Sequence, residues 1–468
     1  MRVGLITLGC DKNTVDSERY LGELIACGAE HTTELATADV IVVNTCGFID
    51  AAKRESIDAL VRAGRLKESG ACRALVAVGC MVERHRIELA ESLPEVDLFL
   101  GSSETDRLVA ALSERGLIDE PEQLRHPGVR AFTGELAHVR YLKVSEGCDH
   151  GCAFCAIPLM RGRHRSFAAD DIVREAQLLE LQGARELNLV AQDLAHYGRD
   201  RRDGERLPEL LRTLLAETTV PWLRLLYLYP SGITPALLEV LSTEPRVAKY
   251  LDMPVQHGSD TVLKRMRRPE RAETIRAAVA RARQAMPDVA IRTTCIVGFP
   301  GETEDDVTRL LELLEEVQFE RVGVFTYSPQ EGTRAAELPD DVPDALKYER
   351  AERVAEISRA VTAERYEARI GVLAHAIVDR VAERPGAGVL ARMAWQADDI
   401  DGVSRLDRDD LTPGCIVEAI VHEVVDDYDF RASVKRVVHS ATSVTHVRGR
   451  RPLPVAASAP VTVGSYGR

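Results

Sequence analysis

Three cysteines share one short loop, Cys148-Asp-His-Gly-Cys152-Ala-Phe-Cys155, with the spacing C-x3-C-x2-C. Three thiolates this close can hold three irons of a [4Fe–4S] cluster and leave one iron open. An open iron can take a further ligand, which a cluster that only passes electrons has no need to do. The competing reading is a structural zinc loop, but zinc takes four ligands in a closed site. No fourth cysteine lies nearby, and His150, inside the loop, is better placed as a spacer or a partner of the ligands.

A second set is spread out but shares one local pattern. Leu8-Gly9-Cys10, Asn44-Thr45-Cys46 and Val78-Gly79-Cys80 each follow an apolar run with strand character. In an open parallel sheet, ligands bind beyond the carboxyl ends of the strands. Three cysteines at three such ends can converge on a second three-thiolate cluster. The alternative is three unrelated core cysteines, since free cysteine is among the most buried residue types. Cys27, Cys72, Cys295 and Cys415 share no pattern and read as packing residues.

The elements that must carry these loops follow from periodicity. Apolar runs at 3–8, 39–44 and 74–78 alternate with amphipathic stretches at 14–27, from 50, and 83–92. Continuous apolar strands joined by helices predict a doubly wound parallel sheet covered on both faces. A stretch with Pro121, Pro127 and Gly128 reads as a linker. Six strand patterns follow, at 139–145, 187–191, 222–229, 250–255, 290–297 and 321–326, with helical patterns between them. That series predicts a partial (β/α)6 barrel whose site lies at the strand C-terminal ends. A long helix near 345–369 leads to short strands and turns that read as a small antiparallel β-barrel. The expected organisation is α/β: residues 1–117 a cluster domain, 118–133 a linker, 134–368 the barrel, 369–438 the β-barrel, and 439–468 a disordered tail.

At 468 residues the chain suits about three domains. With 45% hydrophobic and 29% charged residues it has ample core material. No apolar run approaches the roughly 20 residues that span a bilayer, and a cytoplasmic protein is expected. Ten cysteines in a reducing compartment read as ligands or core residues sooner than disulfides. A formal charge of −14 argues against general nucleic-acid affinity and suits a basic partner. The carboxylates between Asp398 and Asp429 repeat that bias locally, although a solvated acidic face would read the same.

The three-cysteine loop, with Phe154 before its last cysteine, resembles that of the radical S-adenosylmethionine (SAM) superfamily. The resemblance implies SAM on the open iron and places other SAM contacts at strand ends. Gly183-Ala-Arg-Glu186 is similar to an element that meets the SAM amino end, which implicates Glu186. Ile296-Val-Gly298 is similar to one near the ribose and adenine, and Phe325-Thr-Tyr327 to one that contacts adenine. Gln192, Asp193 and Gln256 are further candidates for polar contacts, or plain turn residues.

Gly9-Cys-Asp-Lys-Asn13 with Asp16-Ser-Glu18, and Val43-Asn-Thr-Cys46-Gly-Phe-Ile-Asp50, resemble the methylthiotransferase family across nearly the whole chain. That family implies a cluster domain, a radical SAM barrel, a C-terminal TRAM β-barrel, and two [4Fe–4S] clusters with SAM as radical source and methyl donor. Ile157-Pro-Leu-Met-Arg-Gly162, Tyr250-Leu-Asp-Met-Pro-Val-Gln-His257 and Asp426-Asp-Tyr-Asp429 are similar to the branch acting on an aspartate of ribosomal protein S-twelve. Met393-Ala-Trp-Gln-Ala-Asp398 departs from the branch pattern. The implied partners are that basic protein, with the TRAM barrel presenting it, and a one-electron reductant such as flavodoxin or ferredoxin. A transfer-RNA methylthiotransferase and a non-catalytic two-cluster electron carrier are the rival readings.

Overall fold

The computed structural model describes residues 1–119 and 130–441. Most of the expected linker, and the expected tail beyond Ala441, lie outside the described residues. Among the described residues no helix is long and apolar enough to cross a membrane.

The N-terminal sheet has five parallel strands in the order Glu30–His31, Arg2–Thr7, Val40–Thr45, Ala74–Gly79, Leu98–Gly101. Two strands were not expected, because two and four residues are too few to show a period. Alternate residues of the central strands face opposite layers. Val40, Val42, Val76 and Val78 pack with Tyr20, Leu24, Leu108 and Leu112. Ile41, Val43, Leu75 and Ala77 pack with Ala59, Leu60, Met81 and Val82. Burial on both sides is why these strands read as unbroken apolar runs.

The barrel strands divide into two parallel sets. Val139–Lys143, Glu186–Val190 and Trp222–Leu225 form one, and Tyr250–Asp252, Ala290–Val297 and Arg321–Thr326 the other. A bridge between Leu223 and Val247 joins them. The strand expected at 222–229 ends at Leu225, ahead of Tyr227 (φ +63°), which turns into the left-handed region, and Gln256 (φ +73°) does the same just past the stretch expected at 250–255. For a bulky side chain that conformation costs of order 1–3 kcal/mol and tends to collect at functional sites. Both lie at the barrel mouth.

The C-terminal domain is a closed five-strand barrel of Leu373–Arg380, Leu390–Met393, Ser404–Leu406, Asp429–His439 and Ile416–Val425. It is not wholly antiparallel, because Ser404–Leu406 pairs in parallel with Asp429–His439 to close it. Its segment Met393–Asp401 enters the larger barrel where the barrel strands begin. Trp395 and Ala397 pack with Tyr250 and Ala290, and Asp401 accepts from the Tyr250 hydroxyl at 2.6 Å. The carboxylates of this domain are largely engaged internally. Asp409 accepts from Gly386 and Gly388, Glu418 pairs with Arg436, and Asp429 accepts from Val403. This weakens the acidic-docking argument, since a carboxylate satisfied at home offers less to a partner.

Glu186 belongs to this junction and not to a SAM contact. It opens its strand, at the end of the barrel remote from the cysteine loop, and it is fully buried. Its two oxygens accept from Arg224 and from Arg392 of the C-terminal barrel, each at 2.7 Å. Burial, the largest influence, would raise this carboxyl; the two arginines outweigh it and hold it down at about 2. Glu186→Gln leaves Arg224 without a counter-charge and Arg392 with Asp379 in place of two carboxylates, and costs on the order of 4 kcal/mol. Because the folded carboxyl titrates below its unfolded value, the stabilisation is complete above about pH 4.5 and is lost as pH falls toward 2. Hydrogen exchange of the 390–401 segment measures it. Unchanged protection in Glu186→Gln would show that apolar packing alone holds the junction.

Candidate active site

The N-terminal cysteines sit where three strands give way to loops and helices. Cys10 caps the helix Asp11–Ala26 through its backbone, and Cys80 opens the helix Cys80–Ser92. A helix N-terminus favours negative charge, so both positions suit a thiolate. Glycines bring the three ends together. A methyl group on Gly9 (φ +92°) would lie 2.8 Å from Cys46 Cβ, and one on Gly47 would lie 2.8 Å from Met81 Cα. Asn13 ties the same loops, donating to the Leu8 carbonyl at 2.7 Å and the Thr45 carbonyl at 3.3 Å.

The thiols of each set feel one another. Burial first, then the charge of Cys10, pushes Cys46 up to about 11. Burial, with Cys10 and Cys46 adding to it and Arg161 opposing, pushes Cys80 up to about 12. In the barrel loop, burial and then Cys152 push Cys148 up to about 11, against the amide of His150. Burial, Cys152 and Cys148 push Cys155 up to about 12, against the amide of Ile157. Two triads of unpaired thiols that repel as anions are what iron would neutralise. Three of the six cysteines also receive a backbone N–H from two residues onward: Cys46 from Phe48, Cys148 from His150, Cys155 from Ile157. Such N–H···S contacts stabilise sulfur that carries negative charge. The donor sets therefore fit two iron–sulfur centres.

The two triads face one another. Cys80 packs against Ala156, Ile157 and Met160, directly after Cys155. Arg161 donates from Nε to Cys80 Sγ at 3.1 Å and from Nη1 to Asp16 at 2.6 Å, and its Nη2 bonds Asn13. Lys143 also bonds Asp16 and Glu146. Glu18 accepts from Arg130 and Arg140, and Arg130 reaches Glu175 at 2.9 Å. The Asp16-Ser-Glu18 motif thus fastens the N-terminal domain to the barrel. Arg130, read as linker, is a buried part of that fastening.

Around the barrel loop, His150 donates to or accepts from Asp193 at 2.6 Å and stacks on Tyr229 with centroids 4.1 Å apart. Arg268 lies over the same ring at 3.9 Å and reaches Cys152 Sγ at 3.8 Å. His150, Asp193 and His196 are the group among the described residues whose imidazole and carboxylate atoms, all within 4.8 Å, could share a metal ion. His150 is turned to Asp193 and not into the thiol triad, which leaves a zinc loop without its fourth ligand. Asp193 and Gln192 stand just beyond the C-terminal end of Glu186–Val190, and Gln192 donates to Glu146 at 2.9 Å. These two, not Glu186, occupy the mouth.

Phe154, Ile296 and Tyr327 belong to one small apolar cluster with Ala153, Phe299 and Met266. The Tyr327 hydroxyl is buried without a hydrogen-bond partner. Gly298 (φ +73°) follows the strand Ala290–Val297 and donates to Glu302 at 2.8 Å. A methyl group on it would lie 2.3 Å from Lys347 Cγ, so glycine is required there by the long helix. Sequence reasoning missed Asn13, Arg161, Tyr229 and Arg268. Of these, Asn13 and Arg161 stood inside quoted motifs; Tyr229 and Arg268 carried no local signal. Tyr227 was also missed: its hydroxyl donates to Asp11, beside Cys10, at 3.0 Å.

Residues 2–101 match the uncharacterized protein family UPF0004, and residues 142–314 the Radical SAM superfamily. The chain is 43% identical over 460 residues to the ribosomal protein uS12 methylthiotransferase RimO of Anaeromyxobacter sp. (strain Fw109-5), covering 97% of this chain and 96% of that one. It is 42% identical over 437 residues to the protein of that name from Geobacter sulfurreducens, covering 92% and 97%. Among solved structures, the radical S-adenosylmethionine methyltransferase TsrM from Kitasatospora setae, with tryptophan substrate and a SAM analog bound, superposes with a TM-score of 0.52. At 15% identity over 69% of this chain and 72% of that one, the likeness is one of fold.

Proposed function

The chain belongs to the radical SAM methylthiotransferase family, in its uS12 branch, and from that premise we propose that it adds a methylthio group to the β-carbon of an aspartate in ribosomal protein uS12. The observation that carries the reading is the pair of thiol triads facing each other across one domain junction, with Cys80 packed on the residue after Cys155.

The enzyme uses two [4Fe–4S] clusters and SAM. Cys148, Cys152 and Cys155 would hold the cluster that binds SAM, and Cys10, Cys46 and Cys80 the second. When bound, these groups would supply radical chemistry for an unactivated C–H bond and a place to hold the sulfur to be transferred, which side-chain acids and bases cannot offer. The chain's own part is position and exclusion. The His150–Tyr229–Arg268 stack steadies the loop around Cys152. Phe154, Ile296 and Tyr327 present an apolar wall suited to the adenosyl portion of SAM, with Gly298 beside it. The fastening of Asp16 and Glu18 to Lys143, Arg161, Arg130 and Arg140 fixes the gap between the triads. The net charge of −14 suits a basic substrate, and a one-electron reductant such as flavodoxin or ferredoxin would deliver the electrons.

Anaerobically reconstituted protein, given SAM, a chemical reductant and uS12, adds the mass of one methylthio group at a single aspartate, read by peptide mass spectrometry. Transfer to an adenosine of transfer RNA in place of uS12, or deoxyadenosine release with neither product, would overturn the assignment.

A further inference from the structure

Arg161 joins the two cysteine sets by a hydrogen bond. It ends the short helix Ile157–Arg161, which starts two residues after Cys155. The carbonyl of the next residue, Gly162, accepts from the Cys148 amide at 3.1 Å, so its backbone is tied to the barrel loop at both ends. Its side chain is 2% exposed and points away from that loop into the N-terminal domain. There Nε donates to Cys80 Sγ at 3.1 Å, Nη1 to Asp16 at 2.6 Å, and Nη2 to Asn13. A second acid, Glu146, lies 3.3 Å from Nη1.

This geometry is specific to a guanidinium. Three acceptors in one plane require its fork, whereas a lysine ammonium meets them as a single point. Asp16 and Asn13 fix the plane, and the Nε–H is thereby aimed at one sulfur. Cys46, Cys148 and Cys155 receive amides of their own loops. Cys80 takes its donor from a side chain of the other domain.

Resting on the reading that Cys10, Cys46 and Cys80 hold a cluster, we propose that Arg161 is a positioning residue for that centre. Its N–H···S bond fixes the Cys80 ligand relative to the barrel loop and raises the reduction potential of the N-terminal centre. Hydrogen bonds and positive charge at a cluster sulfur stabilise the more negative, reduced form. The Cys148 centre receives no bond from this guanidinium, so the effect is confined to one of two clusters in the same chain.

The test uses reconstituted Arg161→Met and Arg161→Lys holoenzymes. Both clusters are titrated potentiometrically and followed by EPR, the Cys148 centre being identified by the spectral change that SAM causes. In Arg161→Met the N-terminal centre shifts to a more negative potential while the Cys148 centre does not move. Arg161→Lys, which keeps the charge and loses the fork, recovers part of the shift. Selective loss of the N-terminal centre in either variant, with the Cys148 centre intact, equally supports the positioning role. Unchanged potentials, equal shifts at both centres, or loss of both centres together overturn it. A wild-type protein carrying a single cluster would instead remove the reading on which the inference rests.

Discussion

Cys148→Ala abolishes release of 5′-deoxyadenosine from SAM under reducing conditions, down to the level without enzyme. Three thiolates leave one iron open for SAM, and two leave a cluster that either falls apart or fails to hold the cofactor in register. Cys148 is half-buried and its small side chain accepts from the His150 amide, so its loss removes little packing. The stacked His150 and Tyr229 rings and the bond from the Cys148 amide to Gly162 remain to hold the loop. Chromatography of the quenched reaction measures the nucleoside. Iron bound at the N-terminal triad is the internal control for folding. Full deoxyadenosine yield from Cys148→Ala would remove this loop from the chemistry altogether.

Cys10→Ala gives the complementary outcome. Bound iron falls by about half, deoxyadenosine release persists, and methylthio transfer to uS12 is lost. Cys10 is exposed and makes no side-chain cap to the helix it precedes, so alanine leaves that helix as stable as before. The two activities would separate because the triad proposed to serve SAM, Cys148, Cys152 and Cys155, lies in the barrel and none of its cysteines belongs to the N-terminal sheet. Iron assay, nucleoside release and peptide mass, taken together on one preparation, distinguish the cases. Cys10→Ala that binds as much iron as wild type, or that still transfers the group, would show that the three strand-end cysteines do not form a centre.

How much of this was legible in the residues depends on distance along the chain. The C-x3-C-x2-C loop is local, and its spacing alone limits the metals it can hold. The N-terminal triad was legible for another reason. Cys10, Cys46 and Cys80 are far apart in sequence, yet each follows a strand, and a parallel sheet brings its strand ends to one edge. The barrel order followed from the same alternation of apolar runs and amphipathic helices. A local motif does not say which end of a strand its residues occupy. Glu186 sits one strand length from Gln192 and Asp193, and that length separates a buried junction from an open mouth.

The early stop after Leu225 was hidden because backbone sign is not written in an apolar pattern; Tyr227 looks like an ordinary strand residue. The parallel closure of the small barrel was hidden because Ser404–Leu406 is too short to show a register.

The sequence by itself determined the chemistry and the scaffold: two sets of three thiols, a doubly wound sheet, a barrel of parallel strands and a closing β-barrel. Tertiary structure alone decided how the sets meet. Arg161 reaches Cys80 across 81 positions, Arg130 reaches Glu18 across 112, and Arg392 reaches Glu186 across 206. Periodicity records which face of an element is buried, because burial of apolar area is non-directional and leaves a repeating pattern. A buried ion pair depends on two side chains meeting in one geometry, and nothing near either residue in the chain announces its partner.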